Sequence, residues 1–191
     1  FNITRTFIAT DACGNTAICS QTIGVLDQLA PSITCPANLT VSCAGQMPSV
    51  DIGSVQANDN CSIVVKSHAG DAVSNKICDN RFVLTRTYKA TDGCGNSASC
   101  SQRITVFDQL LPSISCPANT TVSCASEAPA NDFSAILATD NCGGTITKSL
   151  LSDLVSSKTC DNRFTTTRTY KVTDACGNSA TCSQKITVYD Q

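Results

Sequence analysis

Phe82-Val83-Leu84-Thr85-Arg86-Thr87-Tyr88-Lys89-Ala90-Thr91, followed by Asp92-Gly93-Cys94-Gly95-Asn96, decides the fold. Phe82, Leu84, Arg86, Tyr88 and Ala90 share one parity, and Val83, Thr85, Thr87, Lys89 and Thr91 share the other. A period of two in a stretch rich in Thr and β-branched residues predicts a half-buried strand. The Asp-Gly-Cys-Gly-Asn stretch is turn chemistry. A second strand follows, with Ala98, Cys100, Ile104 and Val106 inward and Ser99, Ser101, Arg103 and Thr105 outward. The two strands form a hairpin. The same hairpin recurs from Phe164 and, earlier, from Phe1 to Asp27.

The cysteines repeat with it. Cys35, Cys43, Cys61, Cys78, Cys94 and Cys100 return as Cys116, Cys124, Cys142, Cys160, Cys176 and Cys182, with one residue inserted between Cys142 and Cys160. Cys13 and Cys19 match Cys94 and Cys100 one period earlier. The period sets the domain organisation: residues 1–27 as the C-terminal hairpin of a truncated module, then complete modules at 28–108 and 109–191. On that reading the chain begins inside a module, and Cys13 and Cys19 have partners upstream of residue 1.

Each module is near the size at which a core alone gives marginal stability. The chain has no Trp and only 5% aromatic residues, so cross-links must offset a thin core. Fourteen cysteines in 191 residues imply an oxidising compartment. Metal clusters are a poor fit, with no CxxC pair and a single histidine, His68. A net charge of −2 with no basic stripe argues against nucleic acid. No apolar run is long enough to cross a bilayer as a helix.

Upstream of the hairpin, Ile33, Cys35, Ala37, Leu39, Val41 and Cys43 share one parity, which predicts a strand bulged at Pro36. Weaker strands fit residues 54–57 and 63–67. Residues 150–158 are expected to form a short helical turn. About seven short strands per module, separated by turn signals, suggest an immunoglobulin-like β-sandwich. The fold class expected is therefore all-β: tandem, disulfide-rich immunoglobulin-like modules arranged end to end.

Ile33-Thr34-Cys35-Pro36-Ala37-Asn38, Tyr88 to Ser101 and Ile104-Thr105-Val106 together resemble the hyalin-repeat (HYR) domain. That family implies an immunoglobulin-like extracellular module. The six-cysteine form, with Thr85-Arg86-Thr87-Tyr88 and Asp59-Asn60-Cys61, is similar to tandem repeats of large Bacteroidetes surface proteins, including gliding-motility adhesins. The basic HYR pattern has fewer cysteines and gives no guide to the additional pairs.

Six cysteines allow fifteen connectivities. Cys35 and Cys43 lie about 26 Å apart on an extended strand at about 3.3 Å per residue, too far to bond. With the 92–96 turn called the top, the immunoglobulin-like topology puts Cys35, Cys61, Cys94 and Cys100 near the top, and Cys43 and Cys78 near the bottom. The expected bonds are Cys35–Cys100, Cys43–Cys78 and Cys61–Cys94, then Cys116–Cys182, Cys124–Cys160 and Cys142–Cys176.

Arg5, Arg86 and Arg168 interrupt the apolar stripe of the same strand in every copy. A buried Arg must be paired, so a structural bridge to a carboxylate, packed on Tyr88 or Tyr170, is expected over glycan or anion contact. Asp27, Asp59, Asn60 and Asp92 should meet at one module end, and Asp108, Asp140, Asn141 and Asp174 at the next. Such oxygen clusters can hold calcium, although Asp and Asn also cap turns. Asn2, Asn38 and Asn119 begin formal glycosylation sequons, which arise easily by chance in an Asn- and Thr-rich chain. Pro31 and Pro112 restrict the linkers. His68 has Ser149 as its counterpart, and the sequence holds no nucleophile elbow, phosphate loop or repeated acid pair, so catalysis is not expected.

The functional expectation is a structural, non-enzymatic repeat segment of an extracellular, cell-surface or secreted adhesin or filament. It would act as a disulfide-stiffened stalk, with no cofactor required beyond possible calcium. Its partners would be neighbouring repeats of the same chain, other copies in a filament, or surface glycans. The alternatives are a polymerising fibre that uses strand donation and a carbohydrate-binding accessory module of a secreted enzyme, the latter weakened by the lack of Trp.

Overall fold

The computed structural model describes residues 1–190, and the fold is all-β. A hairpin of β1 (Asn2–Thr10) and β2 (Thr16–Gly24) comes first. The middle repeat holds β3 (Ser32–Thr34), β4 (Leu39–Val41), β5 (Gln56–Asn58), β6 (Val65–Cys78), β7 (Arg81–Thr91) and β8 (Ser97–Phe107). The last repeat answers with β9 (Ser113–Ser115), β10 (Thr120–Val122), β11 (Leu137–Thr139), β12 (Thr147–Cys160), β13 (Arg163–Thr173) and β14 (Ser179–Tyr189). Each repeat pairs a four-stranded sheet, β4-β8-β7-β6 or β10-β14-β13-β12, with a two-stranded one, β3-β5 or β9-β11. This is the immunoglobulin-like sandwich, with six strands per repeat where about seven were expected.

The hairpin register follows the alternation in the sequence. Thr10 faces Thr16 and Phe7 faces Cys19 in the first copy; Thr173 faces Ser179 and Tyr170 faces Cys182 in the last. Along β7, burial alternates as the sequence pattern requires, with Phe82, Leu84, Arg86, Tyr88 and Ala90 all buried.

The segment at 33–43 is a correction. It is two strands, and they join different sheets: β3 pairs antiparallel with β5, while β4 runs parallel to β8. Pro36 has no N–H to give a ladder, so the strand can leave one sheet there and enter the other. The crossing is sealed by side chains. Gln102 Nε2 donates to Ala37 O at 2.8 Å, and Asn38 Oδ1 accepts Arg103 N–H at 2.7 Å. Gln184 with Ala118 and Asn119 with Lys185 repeat both bonds at 2.8 and 2.7 Å. Two of the formal sequon asparagines thus hold β4 and β10 in place.

Residues 150–158 are also a correction: they lie in β12, paired along β13 with register shifts after Leu150 and Ser156. Ladder bonds to β13 override weak local propensity. Ser157 there takes φ 54°, matching Asn75 at 53° in β6.

Packing divides the chain into two compact units, residues 1–36, 50–70 and 87–101, and residues 37–49, 71–86 and 102–191. In the first, Val55 and Ala90 are fully buried, Tyr88 is buried edge-on to His68, and the Lys66 ammonium donates to Val55 O at 2.7 Å. The β1–β2 hairpin leaves Phe1, Ile3 and Phe7 exposed. In the second unit, Phe82, Leu84, Ile104 and Val106 pack with Leu39, Val41, Ala44 and Met47. Ile136, Tyr170 and Val172 form another cluster, with Ile114 and Ala138 of the two-stranded sheet and the adjoining Cys116 closing over them.

The arginine of the stripe is structural. Arg86 grips Asp71 with both Nε and Nη2, at 3.1 and 3.0 Å, and donates Nη1 to Pro48 O at 2.9 Å. Arg168 makes the same set with Asp153 and Pro129. Hydrogen bonds from Arg168 to Asp153 hold its guanidinium above the ordinary arginine range against the opposing effect of burial. A forked pair of this kind ties β6 to β7, and the third bond anchors the Pro48 segment that precedes β5. Arg86→Met should therefore cost about 2–4 kcal/mol in urea unfolding, because Asp71 and Pro48 O lose their donors together. A cost under about 0.5 kcal/mol would show that the pair behaves as a solvated surface bridge.

Candidate functional site: the cysteine-bearing repeat ends

The lower end of the middle repeat is built on β4 and on the turn between β6 and β7. After Val41 the chain makes a 3₁₀ turn, Ala44–Gln46, with Cys43 as its N-cap. Gln46 Oε1 accepts the N–H groups of Ser42 and Cys43, both at 3.1 Å, and Ala44 N–H donates to Asn80 Oδ1 at 2.8 Å. That last bond draws the Cys43 loop to the turn that follows Cys78, so the two cysteines occupy one end, as expected.

The linker threads this end. Asp108, 1% exposed, donates its N–H to Asn80 O at 2.9 Å, and its carbonyl accepts Arg81 Nη2 at 3.3 Å and Asn178 Nδ2 at 3.4 Å. Arg81 stacks 4.7 Å over Phe107. One linker residue therefore bonds to both repeats. Pro31 and Pro112, just beyond the linkers, are buried.

The upper end of the last repeat presents Cys142 and Cys176. Asp140 Oδ2 accepts Cys142 N–H at 3.0 Å. Asp174 Oδ1 accepts the N–H groups of Cys176 and Asn178 at 2.8 and 2.9 Å, and its Oδ2 accepts Asn178 Nδ2 at 2.8 Å. These bonds fix both cysteines on tight turns.

The structure places bonds Cys35–Cys100 and Cys116–Cys182 inside their repeats, two of the six expected. The other expected pairs require correction. Cys43 bonds to Cys142 and Cys78 to Cys176, with Cα atoms 5.1 and 5.3 Å apart. The expected Cys43–Cys78, Cys61–Cys94, Cys124–Cys160 and Cys142–Cys176 bonds are not formed, and Cys13, Cys19, Cys61, Cys94, Cys124 and Cys160 are free thiols. The physical reason is end-to-end opposition. The linker brings the lower pair of one repeat against the upper pair of the next, within the Cα range a disulfide spans. A scheme that closes every repeat on itself cannot see this.

The carboxylates expected at the ends divide into two roles. Asp27, Asp59 and Asp92 each bring an oxygen within 4.8 Å of the others. Asp92 is also a turn cap: its Oδ1 accepts Cys94 and Asn96 N–H at 2.9 and 2.8 Å, and its Oδ2 accepts Asn96 Nδ2 at 2.8 Å. Asp27 Oδ2 and Asp59 Oδ1 are buried atoms with no hydrogen-bond partner. At the other end Asp108 and Asp140 come together with Cys142 rather than with Asp174, and Cys142 is committed to its disulfide. Asp140 Oδ1 is again unpartnered. Asn60 and Asn141 turn their amides to the sulfurs of Cys61 and Cys142 at 2.9 and 3.0 Å. Desolvation, then the charges of Asp27, Asp59, Cys94 and Asp92, raises the Cys61 thiol above its ordinary pKa.

Residues 112–188 match the family of HYR-like domains with 4 cysteines. A rat protein, "Sushi, von Willebrand factor type A, EGF and pentraxin domain-containing protein 1", is 29% identical over 174 residues, covering 88% of this chain. The chain spans only 5% of that protein's length. Among solved structures, protocadherin gamma B2 extracellular cadherin domains 3–6 align with 100% of this chain and 60% of their own, at 16% identity and a TM-score of 0.38. The protocadherin gammaB7 EC3–6 cis-dimer structure aligns with 98% of this chain and 59% of its own, at 18% identity and a TM-score of 0.37. No helix among the described residues is long and apolar enough to cross a membrane.

The Asp-capped turns carry a pH signature. Desolvation alone would raise the Asp92 pKa, but hydrogen bonds from Asn96, Cys94 and Gly95 bring it below the ordinary value; Asp11, capped by Asn15, is lowered as well. Carboxylates depressed in the folded state contribute stability above their unfolded pKa and lose it as pH falls through the folded one. Urea midpoints should therefore be flat from pH 7 to about 5 and fall below about pH 4. Asp92→Asn should flatten that fall, and an unchanged profile in the variant would remove Asp92 from the account.

Proposed function

We propose that this chain is a structural, non-catalytic repeat segment of an extracellular surface adhesin or filament, acting as a disulfide-stiffened stalk. Its repeats are 28–108 and 109–191, with the C-terminal hairpin of another at 1–27. The observation that carries this reading is the pair of bonds, Cys43–Cys142 and Cys78–Cys176, that joins one repeat to the next. Two bonds between the same ends restrain both separation and rotation, which a stalk requires and a pocket enzyme does not. Persistent disulfides of this number fit an oxidising exterior. The tandem six-cysteine resemblance favours large surface adhesins, gliding-motility adhesins among them.

Single-molecule extension tests the mechanical role. The Cys35–Cys100 and Cys116–Cys182 bonds remove 65 and 66 residues from the path of force. The oxidised chain should stop at about 200 Å, with roughly 60 residues extensible, and the reduced chain at about 650 Å. Equal extension in the two states would end the stalk reading.

Calcium at the repeat ends belongs to the same proposal. Asp27, Asp59 and Asp92 supply a hard, all-oxygen donor set, and the unpartnered oxygens of Asp27 and Asp59 suit a cation. Asp108 and Asp140 supply a poorer set, because Cys142 is a disulfide sulfur. Saturating calcium at about 100 times Kd would stabilise by about 2.7 kcal/mol, and calorimetry against a chelator should show a rise of roughly 5–10 °C. Asp59→Asn should abolish that rise. A wild-type melting temperature indifferent to calcium would exclude the site.

A further inference from the structure

We infer that Cys124 with Cys160, and Cys61 with Cys94, are the two open halves of the double disulfide seen once in this chain, so that every junction of the array is closed covalently by the same pair of bonds. Each half is already built. The end bearing Cys124 and Cys160 reproduces that bearing Cys43 and Cys78. Cys124 caps a 3₁₀ turn, Ala125–Glu127, and Glu127 Oε2 accepts Ser123 and Cys124 N–H at 3.1 and 3.3 Å, where Gln46 serves Ser42 and Cys43. Ala125 N–H donates to Asn162 Oδ1 at 2.9 Å, as Ala44 does to Asn80. Asp190 takes the place of Asp108, donating to Asn162 O at 3.0 Å and accepting from Arg163 at 3.2 Å, while Arg163 stacks over Tyr189 at 4.6 Å.

The other half matches equally. Asp59 Oδ2 accepts Cys61 N–H at 2.9 Å as Asp140 Oδ2 accepts that of Cys142, and Asp92 caps Cys94 and Asn96 as Asp174 caps Cys176 and Asn178. Asn96 Nδ2 reaches Asp27 O at 3.3 Å as Asn178 reaches Asp108 O. The cysteines that would stand opposite these halves, as Cys142 and Cys176 stand opposite Cys43 and Cys78, belong to a further repeat. The partner is thus a further repeat of this kind. Cys124 takes its counterpart of Cys142, and Cys160 its counterpart of Cys176. Each closure joins two thiol sulfurs and releases two protons and two electrons, accepted by a small-molecule disulfide that is itself reduced to two thiols.

The inference rests on the stalk reading for its oxidising setting. A chain lengthened by a second copy of residues 110–191 after Gln191, refolded with a small-molecule disulfide, tests it. The free-thiol count should stay at the six of the parent chain, and non-reducing digestion should yield peptides joining Cys124 and Cys160 to the added copy. A rise in the count means the new junction is open, a fall means repeats close on themselves, and either overturns the proposal. The parent chain gives an independent check: a Cys124–Cys160 peptide in its digest would also sink it. The extension experiment reads the bonds inside repeats, so the two readings can fail separately.

Discussion

Two disulfides, Cys43–Cys142 and Cys78–Cys176, set the terms for the rest of this molecule. A single bond between repeats would be a pivot. Two bonds, anchored on different turns at each end, leave no free rotation axis. Everything at the junction serves to hold four cysteines in register. The Cys43 loop is pinned to Asn80, the Cys176 turn to Asp174, and the linker residue Asp108 to Asn80, Arg81 and Asn178. Those neutral and charged hydrogen bonds are individually worth about 1 kcal/mol. Their value lies in presenting sulfurs at bonding distance before oxidation.

The interior of each repeat explains why covalent closure is needed. The buried cluster of the last repeat holds one large ring, Tyr170, with Ile136 and Val172. The bidentate Arg168–Asp153 pair substitutes for apolar packing where a longer stripe would have stood. Such a core gives marginal stability at this size. The Cys116–Cys182 bond, which lies against that cluster, restricts the unfolded chain as well as the folded one.

How much of this was legible follows from where the information sits. The hairpin register is local, written in the alternation from Phe82 to Ala90 and in the Asp92–Asn96 turn, so it was readable. The Arg86 bridge was readable in kind, since a charge in an apolar stripe demands a partner, but Asp71 as that partner was not. Cys35–Cys100 was within reach because both residues belong to one sandwich. The junction bonds were not, although both ends had been assigned correctly. Cys43 and Cys78 share an end, and nothing within one period tells whether they bond to each other or outward. That depends on the linker around Asp108, whose backbone bonds leave no pattern in the sequence. Gln102 and Gln184, which seal the sheet switch after Pro36 and Pro117, were missed because a lone Gln inside a strand carries no periodic signal. The strand at 150–158 is not legible because its local sequence carries no clear period, while β13 supplies a ladder that local propensity cannot weigh.

In the proposed array, oxidation and cation binding would act on the same few residues, so the two would be coupled. Asp59 and Asp140 stand two residues before Cys61 and Cys142, and each spends one carboxylate oxygen capping that cysteine's N–H while the other oxygen is unpartnered. Closing the disulfide fixes the turn and therefore the second oxygen. A cation held by that oxygen fixes the turn in return. By linkage, whatever one event adds to the other's free energy is returned in full.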